Sequence, residues 1–274
     1  MSKRNSQTAK TAARERLRIE REREAKRAKS KRQVVVALSI VGVLAIAGGI
    51  GYAAVQAGKP EYWEAAKDDK LVKPANTTGK DGTTVVMGKS GAKKTLVMYE
   101  DSRCPVCASF EQVVGDAVHK GYEDGTYKLQ YVGATFIDTT VPGEGSRNAL
   151  SALGAALDVG PDAFLDYKKA LYSMKFHPEE SDDKFKDDDY LIKVADSVDG
   201  LKGNKAFQKA VKDGTYDKWA LTMSEKFDKD GDTYGFQGTP TLLMDGKKIT
   251  GADGKNAPMT AQEFNTAIEK ALKG

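Results

Sequence analysis

Between residues 83 and 136 the chain alternates short apolar runs with polar breaks. Thr83–Met87 (TTVVM) and Thr95–Glu100 (TLVMYE) are β-rich and are separated by the turn-like GKSGAK. From Cys104 to about Lys120 the period changes, and Phe110, Val113, Val114 and Ala117 share one face of a helix. Lys128–Phe136 (KLQYVGATF) then alternates as a strand. The next 90 or so residues read as helical. Pro161 opens DAFLDYKKALYSM, with Phe164, Tyr167, Leu171 and Met174 on one face, and further on Trp219, Met223 and Phe227 recur every fourth residue. After this block TPTLLMDGKKITG reads as two strands around an Asp245-Gly246 turn. Thr260 and Glu263 form a capping box for a last helix ending near Gly274. The predicted order is β-β-α-β, helices, β-β-α, an α/β domain.

Upstream, Val34–Val55 is a run without a charge, long enough to cross a hydrocarbon core. Residues 1–33 carry 13 Lys and Arg against 4 Glu, a net of +9, which leaves −5 for the rest of a chain whose total is +4. The basic character thus belongs to the arm and not to the folded domain. Lys31 and Arg32 abut the apolar run, so the positive-inside rule puts the N-terminus in the cytoplasm and everything from about Gln56 outside. A cleaved signal peptide competes, with Val55-Gln56-Ala57 as a passable cleavage site, but the apolar run and the basic arm both exceed the usual lengths. The arm is read as a solvated or disordered tail that sets orientation and attracts anionic headgroups, and not as a nucleic-acid binder. The expected organisation is a cytoplasmic arm (1–33), a transmembrane helix (34–55), a polar juxtamembrane linker (56–82) and a folded domain (83–274) whose helical insertion covers about 142–230.

Two acidic stretches have plain readings. Asp228–Asp232 (DKDGD) lacks the glycine and glutamate that a calcium loop needs at its sixth and twelfth positions, where Thr233 and Thr239 stand, and reads as a solvated turn. Lys186–Tyr190 (KDDDY) reads as a helix start.

The chemistry sits in YEDSRCPVCASFEQVV, which holds the chain's 2 cysteines, Cys104 and Cys107. A structural zinc wants four ligands; there is no second pair, and His119 and His177 are far apart in sequence, so no metal is expected. A staple enclosing two residues constrains little. A redox pair fits best. A strand runs into a helix whose first turn carries the cysteines, so unpaired backbone N–H groups and the helix dipole favour a Cys104 thiolate. Pro105 suits the first helical turn. Arg103 is expected to favour the thiolate, and Glu100 and Asp101 to oppose it.

With CPVC after one strand and GTPT (238–241) before another, the chain resembles the thioredoxin superfamily. The long helical block between the halves makes it similar to the DsbA family of disulfide oxidoreductases, especially membrane-anchored members of Gram-positive and actinobacterial envelopes. The resemblance covers roughly 83–274. It implies a thioredoxin fold with a helical insertion domain, preceded by a single transmembrane helix. It also implies a cis Pro240, with the backbone of Thr239 free to pair with substrate; on sequence alone a trans proline opening an edge strand is the simpler reading. The implied activity is disulfide formation in exported cysteine-containing proteins. No cofactor is implied beyond the Cys104–Cys107 disulfide, and a quinone-linked membrane oxidase is the implied partner. Two positions depart from the family pattern. Met98 stands where members often carry a buried acid, and Val106 where strong oxidants have His. The direction of electron flow is therefore open between oxidase and a reductant or isomerase, and a non-catalytic thioredoxin-fold adaptor is the alternative of another class.

Overall fold

The computed structural model describes residues 61–273. The sheet has the order β1-β3-β2-β4-β5, built from β1 (Val85–Met87), β2 (Thr95–Asp101), β3 (Lys128–Ala134), β4 (Thr241–Met244) and β5 (Lys247–Lys248). The central strand β2 pairs parallel with β3, from Thr95↔Lys128 to Asp101↔Ala134. Parallel neighbours need a crossover, and the helix α2 (Pro105–Asp124) supplies it. β4 runs antiparallel to β2, from Leu96↔Met244 to Tyr99↔Thr241. That register decides where the chemistry sits. The end of β2 leads into the cysteine motif, while the start of β4 comes just after Thr239–Pro240, so two segments 135 residues apart in sequence meet at one end of the sheet.

Asp245 (φ 51°) and Gly246 (φ 74°) make the tight β4–β5 turn, since a two-residue hairpin of this type needs positive φ at both positions. α2 ends at Gly125, in the left-handed region at φ 80°. Its buried stripe is Cys107, Phe110, Glu111, Val114 and Val118. The periodicity reading differs here: Val113 is 57% exposed. Phe110 and Val114 do lie inward, but the stripe passes through Cys107 and Glu111, which a search for apolar positions skips.

Between β3 and β4 come α3 (Ile137–Thr140), α4 (Gly145–Val159), α5 (Pro161–Leu171), a 3-10 turn (Lys184–Lys186), α6 (Asp188–Ala195), α7 (Lys205–Lys212) and α8 (Asp217–Tyr234). α4 is the spine of this block. Its small residues let neighbours approach, and Gly154 lies directly against the Trp219 ring of α8. Trp219, Met223 and Phe227 are buried as their spacing predicts. Met174 is not, because α5 stops at Leu171 and leaves it 88% exposed. Asp228–Asp232 lies within α8 and not in a turn. Asp187 caps α6 by accepting from the Asp189 N–H at 2.9 Å, with Asp188 and Asp189 in the first turn. Thr260 accepts from the Glu263 N–H at 3.2 Å at the start of α9 (Ala261–Lys273).

Residues 61–82 read as a linker because they are polar, yet they are tied to the helical block. α1 (Tyr62–Ala65) buries Trp63, with the Arg147 guanidinium 5.4 Å from its ring centroid. Tyr62 donates to Asp217 at 2.6 Å, and Asn76 to the Leu157 carbonyl at 2.8 Å. These anchors are single side chains without a period, and hydropathy does not register them. No helix among the described residues is long and apolar enough to cross a membrane. The apolar run Val34–Val55, the arm before it and residues 56–60 lie outside the described residues.

Candidate active site

Cys104 is the N-cap of α2, and Pro105 stands at its first position. The Cys104 N–H donates back to the Asp101 carbonyl at 3.0 Å, which turns the chain from strand into helix and leaves the sulfur above the helix N-terminus. Both thiols are free. Cys104 is 6% exposed and Cys107 is fully buried. The Thr239–Pro240 peptide is cis, and the Thr239 carbonyl lies 3.5 Å from the Cys104 sulfur, placed to accept from its thiol. The Thr239 hydroxyl is buried with no hydrogen-bond partner among the described residues, and it is placed to favour the charged form of either sulfur.

The two sulfurs are polarised in opposite directions. A hydrogen bond from the Cys107 thiol, opposed by burial and helped by Thr239 and the N–H groups of Cys107 and Val106, brings Cys104 down to about 6. Burial, then the hydrogen bond and charge of Cys104, then Glu100, hold Cys107 well above the ordinary thiol value. At neutral pH the reduced pair is a Cys104 thiolate beside a Cys107 thiol. Only the thiolate attacks or leaves in exchange, so of the two sulfurs Cys104 is the one whose ionisation suits exchange. Val106, between the two, is 48% exposed and takes part through its backbone.

Two of the charged neighbours, Arg103 and Asp101, are engaged away from the sulfurs. Arg103 is buried and turned away from the sulfurs. It donates to Asp138 at 2.8 Å and to the carbonyls of Val141 and Glu180 at 3.1 and 2.8 Å. Its charge is spent on fastening the motif to the helical block. Asp138 in turn accepts from the N–H groups of Ser146 and Arg147 at 2.9 and 3.0 Å. Asp101, also buried, accepts from the Ser146 hydroxyl at 2.6 Å and from the N–H groups of Arg103 and Ile137 at 3.0 and 3.2 Å. It shapes the loop that carries Cys104.

Glu100 does face the pair, from within a buried cluster that sequence reasoning missed. Lys168 of α5 lies 3.0 Å from Glu100 and 2.6 Å from Glu111 of α2, and all three are buried. Burial pushes Glu100 up to about 7 in spite of Lys168. Burial acts the same way on Glu111, but there Lys168 prevails and holds it below the usual carboxylate range. A signal for the cluster exists in the sequence: Glu111 falls on the stripe of Cys107, Val114 and Val118, and Lys168 on that of Phe164 and Leu171. A charge inside an apolar stripe on each of two helices asks for a partner. Tyr172 closes the pocket, packing with Cys104, Cys107, Ala108 and Ile137, while Gln112 donates to its carbonyl at 2.7 Å.

A family model described as Thioredoxin matches residues 80–270. The chain belongs to the thioredoxin family. Within the family it is similar to disulfide bond formation protein D of Bacillus subtilis, 27% identical over 193 residues, 69% of this chain and 77% of that protein. Solved structures share its fold, among them the following two. The thiol-disulfide oxidoreductase MdbA from Actinomyces oris has a TM-score of 0.55 at 21% identity, over 76% of this chain and 92% of that one. Oxidised BdbD from Bacillus subtilis has a TM-score of 0.53 at 23% identity, over 74% of this chain and 100% of that one. The proteins that this thioredoxin-family chain resembles are thus thiol–disulfide oxidoreductases of the DsbA, BdbD and MdbA type.

The site makes two outcomes testable. Alkylation of Cys104 in the reduced protein rises through a midpoint near pH 6; in Thr239→Val the midpoint moves upward, and the rate at pH 6 falls roughly fivefold, as the loss of one hydrogen bond to a charged group implies. Lys168→Met leaves two buried carboxylates uncompensated and lowers unfolding stability in urea by about 3–5 kcal/mol, whereas adding Glu100→Gln and Glu111→Gln recovers most of the loss.

Proposed function

We propose that the protein forms disulfides in exported proteins by thiol–disulfide exchange at Cys104 and Cys107, held at the outer face of the membrane by Val34–Val55. The observation that carries this reading is the low-pKa Cys104 at the N-terminus of α2, beside the cis Thr239–Pro240 peptide. A substrate thiolate attacks the Cys104 sulfur of the oxidised pair, the Cys104–Cys107 bond breaks, and Cys107 leaves as a thiolate. A second substrate thiolate then attacks the substrate sulfur of the mixed disulfide and expels Cys104. Two electrons pass from the substrate dithiol to the pair, and Cys107 gains a proton. Glu100, whose charge acts on Cys107 and which sits at about 7, is the nearby group able to supply it. It takes over the role that family resemblance assigns to the position of Met98.

Cys104's acidity bears on direction. Relative to an ordinary thiol at 9.0, a value of about 6 favours the reduced form at pH 7 by on the order of tenfold, or about 30 mV toward oxidising behaviour. For a depressed acid this contribution is present in full above the ordinary thiol pKa and is lost as pH falls through 6. A stabilised reduced form is what makes an oxidant. Turnover then needs an acceptor for the pair's electrons, and a quinone-linked membrane oxidase is the partner we propose.

The test combines two measurements on one preparation. Oxidised full chain should accelerate refolding of a reduced, disulfide-dependent substrate, and Cys104→Ser should abolish the effect. The reduction potential should change with pH by about 59 mV per unit below pH 6 and about 30 mV per unit above it. A strongly reducing potential, or refolding that is unchanged in Cys104→Ser, would overturn the reading.

A further inference from the structure

Beside the cis-proline loop lies a cavity of about 370 Å³ that catalysis by the cysteines does not use. One wall is the Phe236–Leu242 segment with Thr239 and Pro240; the other is formed by Lys248, Thr250, Lys255 and Asn256. Its chemistry is one-sided. Two lysines, Gln237, Asn256 and three threonines are among the residues that line it, and among the described residues no Asp or Glu does so.

The walls are held by bonds within the protein. Thr241 donates from its hydroxyl to the Gly238 carbonyl at 2.7 Å, fixing the cis-proline side. Opposite, Asp253 accepts from the N–H groups of Lys255 and Asn256 at 2.9 and 3.0 Å and from the Asn256 side chain at 2.7 Å. The Gly251 N–H donates to the Asn256 carbonyl at 2.8 Å. These bonds, with a smaller contribution from the Lys255 charge, hold the Asp253 carboxylate below its usual range and commit it to the loop. Asp245, in the β4–β5 turn at the opposite end of β4, pairs with Lys94. The Lys248 ammonium donates to the Gly235 carbonyl at 2.6 Å, which leaves its charge unneutralised, and neither lysine has a carboxylate at salt-bridge distance among the described residues.

We infer that this cavity is a specificity subsite for an acidic side chain close in sequence to the substrate's reactive cysteine. The inference rests on the proposed exchange reaction. A thiol that reaches Cys104 comes close to the Thr239 carbonyl, itself 3.5 Å from the Cys104 sulfur, and its chain runs past the cis-proline loop. At roughly 3.3 Å per extended residue, side chains two or three positions from the cysteine come over the cavity. An Asp or Glu there meets two lysines and amide donors in a partly enclosed setting, and a Lys or Arg meets two like charges.

The test uses the full chain, oxidised, with two synthetic single-cysteine peptides that carry Glu or Lys at positions two and three on either side of the cysteine. Exchange rates are corrected for each peptide's thiolate fraction, and dithiothreitol is run beside them. At low salt the Glu peptide should react roughly fivefold faster than the Lys peptide, and the difference should shrink in 0.5 M salt, a concentration at which the Debye length is about 4 Å. In the double variant Lys248→Glu/Lys255→Glu the order should invert, an outcome that loss of fold cannot produce. Equal rates for the two peptides, with dithiothreitol reacting normally, would overturn the subsite and leave the exchange reaction standing. A preference that persists in the double variant would also overturn it. Failure of dithiothreitol itself to exchange would overturn the exchange reading and the subsite with it.

Discussion

One lysine holds the two halves of this protein together behind its reactive sulfurs. Lys168, from the helical block, lies between Glu100 on the central strand and Glu111 on the cysteine-bearing helix. With a single positive charge it compensates two buried carboxylates, so one of them is left near neutrality, and that one is Glu100. A strand, a helix and the insertion are thereby fixed to one another beside the cysteine pair. Removing the lysine would leave uncompensated buried charge, the most expensive kind of polar burial.

The same economy appears on the other side of the motif. Arg103 precedes Cys104 but does not tune it. Its guanidinium spans Asp138 and the carbonyls of Val141 and Glu180, so the loop that positions Cys104 is part of the helical block's own polar core. The thiolate is left to local forces: the Cys107 thiol, the Thr239 hydroxyl and the first N–H groups of the helix. Short hydrogen-bonding contacts at a helix N-terminus are enough to lower a thiol by several pH units.

How much of this was legible in the sequence depended on whether a residue acts through its neighbours in the chain. The strand-to-helix passage at Cys104, the Asp245-Gly246 turn and the Thr260/Glu263 cap are local, and they were readable from residue type and spacing. The approach of Thr239 to Cys104 is non-local and came from a resemblance, not from periodicity. Arg103 was misread and Lys168 missed because charge near a cysteine was weighed along the chain, whereas partners 35 to 77 residues away decide where the buried Arg103 charge points. Trp63 shows the same limit for packing: one anchored ring in a polar stretch has no period to detect.

The central claim is that Cys104 is the sulfur that exchanges and Cys107 the one that closes the ring. The most direct measurement is covalent trapping in the Cys107→Ser variant, activated at its remaining thiol and incubated with a reduced cysteine peptide. The account predicts a stable mixed disulfide that mass spectrometry maps to Cys104, and little or no adduct in the reciprocal Cys104→Ser variant, whose remaining thiol is buried and of raised pKa. An adduct that forms as readily on Cys107 would contradict it.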